Sequence, residues 1–300
     1  MYRSFFHVLT IALVLTATVP SPAEAQVKKD QKLEDPVPVT LHTKDNLDLT
    51  AVYLKSNRGK EAVPVLLIHE WEGQMSPYPK LCRALQQAGC AVLAMDYRGH
   101  GRSNKFINAR GKEETFKLKT MNRRDVDAIM RADMESAKRF LKEKNNAGEL
   151  NLNALILLSI GDGAVLSANW TKVDWSFPSV GSRKQGQDVK GLIMVAPKRI
   201  LKGVTIDTGL NDPRVAMLPM LITYAKESPD AGDAERIASR MEAIKRRFKR
   251  EDSLQVVAVS GGGGGPALMN QSQSAIRAVI EFAKTQVPVS EQENPWIERP

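Results

Sequence analysis

The chain has 300 residues, 42% hydrophobic and 26% charged, with 43 Lys and Arg against 34 Asp and Glu for a formal charge of +9. This composition excludes a disordered or collagen-like chain, and two cysteines exclude a disulfide-built scaffold or a Cys-rich zinc site. The four histidines are His7, His42, His69 and His100, so nothing beyond residue 100 supplies an imidazole.

Residues 1–25 have the layout of a secretory signal. Arg3 is the basic start, Phe5–Val19 the apolar stretch, and Ala23-Glu24-Ala25 the cleavage pattern. Export to the periplasm or the exterior is expected, with an N-terminal membrane anchor as the alternative if the segment is retained. No other run approaches the ~20 apolar residues of a membrane helix, so the mature chain is expected to lack a transmembrane segment. Residues 26–36 are polar and read as a flexible lead-in. Val37–His42 and Leu47–Leu54 predict a hairpin around Lys44-Asp45-Asn46. Ala62–His69 is a continuous apolar run, the mark of a buried parallel strand. A helix over Pro79–Ala88 and a strand over Cys90–Met95 follow. Val126, Ile129, Met130, Met134, Ala137 and Leu141 make one stripe of a long helix over 123–144. Then come a strand over Leu152–Ser159 and a helix over Gly163–Trp170. Further strands are expected over Val189–Ala196, Met220–Tyr224 and Leu254–Val259, with helices over Ala231–Arg250 and Ser272–Thr285. Alternation of this kind builds a mainly parallel sheet of about eight strands with helices on both faces. One domain over 37–288 is expected, without a separate lid, followed by a loose tail over 289–300. Cys82 and Cys90 read as small buried hydrophobes, a disulfide between them being the alternative.

Val63–Gly73 (VPVLLIHEWEG) and Val92–Ser103 (VLAMDYRGHGRS) carry a resemblance. They resemble the core of the α/β-hydrolases, and the H-E-W-x-G form resembles the dienelactone-hydrolase branch. The resemblance implies a three-layer sandwich in which the first loop supplies part of an oxyanion hole. It also implies a nucleophile in G-x-S-x-G on a sharp strand-to-helix turn. Here the corresponding segment is Ser159-Ile160-Gly161-Asp162-Gly163, which puts Gly161 at the nucleophile position. The aligned acid position is Ser228, flanked by Glu227 and Asp230, and the latter also suits the N-terminus of the next helix. Where the family carries its histidine, this chain has Ser260 followed by five glycines, Gly261–Gly265. The family order of nucleophile, acid and histidine therefore cannot be assembled.

The leading expectation is an exported, catalytically degenerate member that binds a ligand or partner at the relic cleft. The cleft residues would be His69, Glu70, Trp71, Gly161, Asp162, Ser228, Gly262 and Gly263. The alternative is a working esterase with Ser159 as nucleophile, His69 as base and Glu227 or Asp230 as acid. That reading requires Ser159 Oγ within about 3.5 Å of His69. His69, Glu70 and Glu72 invite a metal reading, but no second His lies in range and no H-E-x-x-H helix exists. No metal and no cofactor are expected. The glycine run reads as a mobile loop, with a backbone anion nest as the alternative. Trp170, Trp175 and Phe177 are placed in or beside a loop over 171–188, either lining a pocket or closing the core. Lys245–Arg250 reads as a solvated basic helix face, and with the net charge it suggests an acidic envelope polymer as a further partner. Nucleic acid is not expected, since no recognition motif appears.

Overall fold

The computed structural model describes residues 33–181 and 183–299. The expected signal over 1–25, and the part of the lead-in over 26–32, lie outside the described residues. Eight strands form the main sheet: β1 Val37–His42, β2 Asp48–Leu54, β3 Pro64–Ile68, β4 Ala91–Met95, β5 Leu155–Ile160, β6 Val189–Val195, β7 Met220–Ala225 and β8 Leu254–Val259. Their spatial order is β1-β2-β4-β3-β5-β6-β7-β8. The pairs β1/β2 and β2/β4 are antiparallel, and β4/β3, β3/β5, β5/β6, β6/β7 and β7/β8 are parallel.

The continuous apolar runs have a direct cause. Strand side chains alternate between faces, and both faces of this sheet are covered. Leu66, Leu93, Leu155 and Leu157 belong to one buried cluster. Helices α2 (Arg123–Ala128), α3 (Met134–Asn146), α4 (Gly163–Ser176) and α5 (Ala231–Arg247) contribute to it. Their neighbours Val65, Leu67, Val92, Ile156 and Leu158 belong to the cluster on the opposite face. There α1 (Pro79–Gln87), α6 (Gly265–Gln271) and α7 (Gln273–Thr285) close the third layer.

Several elements differ from the sequence reading. The helix expected over 123–144 carries a π turn, Ile129–Asp133, between α2 and α3. This turn aims the buried Asp133 carboxylate at Arg98, whose backbone N–H, Nε and Nη2 donate to it at 2.8, 2.9 and 2.6 Å. Arg98 also pairs with Asp45 at 2.6 Å, so one guanidinium joins the leading hairpin to the helix layer. Trp170 and Trp175 lie in α4 and not in a loop. Trp170 is fully buried and donates from Nε1 to Glu135, whereas Phe177 is exposed. A short hairpin, Lys105–Ile107 with Glu113–Thr115, was not anticipated.

Both ends of the described chain are held. The Glu34 carbonyl accepts from Arg83 and Gln86 of α1, so this part of the lead-in is pinned. The tail has no helix or strand, yet it is not loose. Asn145, Asn146, Asn151 and Asn153 donate to the carbonyls of Ile297, Arg299, Asn294 and Pro295. Arg299 is buried in an ion pair with Asp188, which Lys138 also contacts at 3.1 Å. The basic run splits likewise. Lys245 is fully buried, donating to Ala216 O, Leu218 O and Ser253 Oγ, while Arg246, Arg247, Lys249 and Arg250 are exposed. Cys82 and Cys90 are free, buried thiols that burial pushes up to about 12. No helix among the described residues is long and apolar enough to cross a membrane.

Candidate active site

β5 delivers the chain to Gly161 at the C-terminal edge of the sheet, and α4 begins two residues later. Gly161 has φ +55°, the left-handed conformation that costs a side-chain-bearing residue about 1–3 kcal/mol and glycine nearly nothing. A Cβ placed there would point at Glu70, 3.0 Å from its Cβ. The apex of the turn is therefore glycine, beside the loop that follows β3, with neither oxygen nor sulfur to attack a substrate. A family description, "Serine aminopeptidase, S33", matches residues 59–260.

The chain belongs to that α/β-hydrolase family.

Solved structures similar to this S33-family chain include an esterase of Pyrococcus furiosus, at 12% identity and TM-score 0.59, covering 84% of this chain and 91% of that one. An esterase of Pyrobaculum calidifontis matches at 13% identity and TM-score 0.55, over 84% and 85% of the two chains. A dienelactone hydrolase of Anabaena variabilis matches at 14% identity and TM-score 0.53, over 84% and 96%. At such identities the likeness is one of fold. A search of curated proteins by sequence found no match.

The sequence-predicted residues of this S33-family chain fall into three groups. Ser159 sits beneath the elbow, fully buried, and its hydroxyl donates to Ile193 O on β6 at 3.0 Å. His69 is also fully buried. Its Nδ1 is 2.7 Å from Glu70 O, its ring stacks on Tyr97 at 4.2 Å, and its Nε2 has no hydrogen-bond partner among the described residues. The structure thus does not join Ser159 to His69 by the hydrogen bond that the alternative site requires. Burial holds the His69 imidazole down to about 4, so it is uncharged near neutral pH. His100 packs against Tyr97 and Trp71 and is held down to about 4 by the same cause.

The second group is charged and lies at the strand ends. The Glu70 carboxylate accepts from Tyr78 at 2.5 Å. Asp162 follows the apex, and Lys198, just beyond β6, approaches it at 3.9 Å and Asp230 at 3.7 Å. Burial raises the Asp162 carboxyl, against the pull of Lys198 and of backbone N–H groups including that of Trp71. The Trp71 amide belongs to the loop that supplies an oxyanion donor in this family, and here it faces a carboxylate of the chain itself. Among the described residues, the buried Trp71 indole N–H has no hydrogen-bond partner, nor does the Ser228 hydroxyl.

The third group is the glycine run. Gly261 exchanges two hydrogen bonds with Glu227, its N–H donating to the carboxylate and its carbonyl accepting from the Glu227 N–H at 3.1 Å. Gly264 caps α6, and Gly265 lies in its first turn. A Cβ on Gly265 would overlap Ile160 Cγ2 and stand 3.7 Å from the Gly161 amide nitrogen. The run is therefore packed onto the elbow at its far end, with Gly262 and Gly263 bridging between. Asp230 precedes α5 without a side-chain cap and faces Lys198 instead. Among the described residues, no group of three or more His, Cys, Asp or Glu is placed to hold a metal ion. Sequence reasoning missed Lys198. Its one signal was position, immediately after the C-terminal end of a parallel strand, where open α/β sheets bind ligands.

Proposed function

We propose that this S33-family protein is an exported, catalytically degenerate hydrolase that binds a ligand or partner at the relic cleft. The observation that carries the reading is the glycine at the elbow apex, in a chain with no histidine beyond residue 100. Triad members act as a unit, and removing them costs on the order of 10⁶ in rate in a well-studied protease. Two further observations support it. Ser159 spends its hydroxyl on the sheet backbone, and Glu227 spends its carboxylate on Gly261. What remains at the strand ends is a polar set, Asp162, Lys198 and Asp230, suited to a ligand carrying hydrogen-bonding groups of both signs. Export rests on the arrangement of residues 1–25.

The test is a screen of the protein with a fluorophosphonate probe and short acyl esters, alongside Ser159→Ala. Silence in both is the expected result. Labelling or turnover that disappears in Ser159→Ala would overturn the reading and establish a working hydrolase with a displaced nucleophile. Gly161→Ser is expected to stay at background in the same assay, because the loop after β8 carries no histidine to activate the new hydroxyl.

A further inference from the structure

A cavity of about 210 Å³ opens beside α1, on the sheet face opposite the α4 layer. Its floor follows from strand alternation. Val52 and Ala94 are direct partners on β2 and β4, and Leu54 lies two residues along on the same face. Met75 and Cys82 form the wall toward α1. Pro79 and Cys82 of α1 and Pro36 of the lead-in complete the lining, and Glu34 is tied to Arg83 and Gln86 of the same helix. Ala94 is the small residue that leaves the space open.

The polar groups at the rim are unequal. Asp96 is 2% exposed, and its carboxylate already accepts from the backbone N–H groups of Met75 at 2.7 Å and Arg102 at 2.9 Å. The Arg102 side chain is exposed, lines the same pocket and enters no salt bridge among the described residues. The Arg102 guanidinium attracts Asp96 across the lining without forming a salt bridge with it, and an apolar chamber with such an exposed cation beside it is complementary to an amphiphile whose head is anionic. An apolar cavity of about 150 Å³ admits a benzene ring, so this one takes a chain of about six to eight carbons.

We propose that this pocket is a second binding site, separate from the relic cleft, for a short-chain carboxylate. The tail lies over Val52, Leu54 and Ala94, and the carboxylate meets Arg102.

Calorimetric titration of the protein with a saturated carboxylate series tests the site, with octanol and octylamine as head-group controls. Affinity is expected to rise with chain length to about eight carbons and then level off, because the chamber is full. Octanoate is expected to bind more tightly than octanol, and octylamine least tightly. Arg102→Gln should weaken octanoate about fivefold, the size of an exposed charge pair, and leave octanol unchanged. Ala94→Leu fills the chamber and should abolish saturable binding. If that variant does not fold, Val52→Phe fills the same space from the edge strand. Absence of saturation by octanoate overturns the proposal, and so does binding that persists in the filled variant. Equal binding of all three head groups, unmoved by Arg102→Gln, overturns the anionic assignment.

Discussion

At Gly265 a single methyl group is enough to disturb the elbow. The added Cβ would overlap Ile160, whose backbone leads directly into Gly161. Gly265→Ala is expected to cost about 1–3 kcal/mol, the usual range for overpacking, and equilibrium urea unfolding measures it. An unchanged midpoint would mean that α6 can slide away from β5. The imidazoles act at the same scale through pH. His69 and His100 are both buried and held down to about 4, against an ordinary value near 6.5. Between those values the unfolded chain binds protons that the folded chain refuses. Stability is therefore complete above about pH 6.5 and is lost as pH falls through about 4, by up to about 3 kcal/mol per group. The raised Asp133 carboxyl pulls the opposite way in the same window, so the check is a comparison: urea midpoints of the wild type should fall more than those of His100→Gln as pH drops from 6.5 to 4. A difference between the two that does not change with pH would mean that the folded chain does not refuse the His100 proton.

Among the elements, the π turn before α3 shows how a local irregularity is put to use. One extra residue in the turn brings Asp133 to Arg98, which clasps the hairpin through Asp45. Burial pushes the Asp133 carboxyl up to about 6 against the pull of Arg98. Asp133→Ala strands the guanidinium with one partner and is expected to cost about 3 kcal/mol in chemical unfolding. A loss much below this would show that Asp45 alone satisfies Arg98. The main strands were legible in the sequence because both faces of the sheet are covered, which leaves unbroken runs such as PVLLI and AVLAM. The Lys105–Ile107 hairpin was not legible. Its strands are three residues long, largely exposed and charged, and Phe106 against Phe116 is the contact that marks them. Helix α6 was hidden for another reason. Glycine carries almost no helical propensity, and a short helix that starts on the last glycine of the run, with Pro266 in its first turn and Leu268 and Met269 buried, shows little periodic pattern in the sequence. The elbow itself was legible, because small residues two positions on either side of Gly161 announce a sharp turn. Lys198 was not, since its role comes from the spatial neighbourhood of β5, β6 and β7 and from no local pattern.

Across the whole molecule, charge is divided between surface and interior. Arg246, Arg247, Lys249 and Arg250 remain exposed and form a basic patch at the end of α5. Retention on an anionic matrix is expected to weaken with salt, and a triple Arg246→Ala, Arg247→Ala, Lys249→Ala variant should elute earlier. Salt-independent elution would remove acidic polymers from consideration. Inside, Asp188 is shared by Lys138, Lys184 and Arg299. Arg299→Ala deletes one of these cations together with the anchor of the C-terminal strap, and should cost about 2–4 kcal/mol. A variant of unchanged stability would assign the anchoring to the asparagine contacts alone. Those asparagines bond to carbonyls far along the chain, 153 residues away for Asn146 and 143 for Asn151. Such bonds have an order in time. On the ribosome, residues 145–153 emerge long before residues 294–299 are made, so these asparagines have only water to bond to until then. The strap is a late fastening, and this set of hydrogen bonds can close only after residues 294–299 clear the exit tunnel.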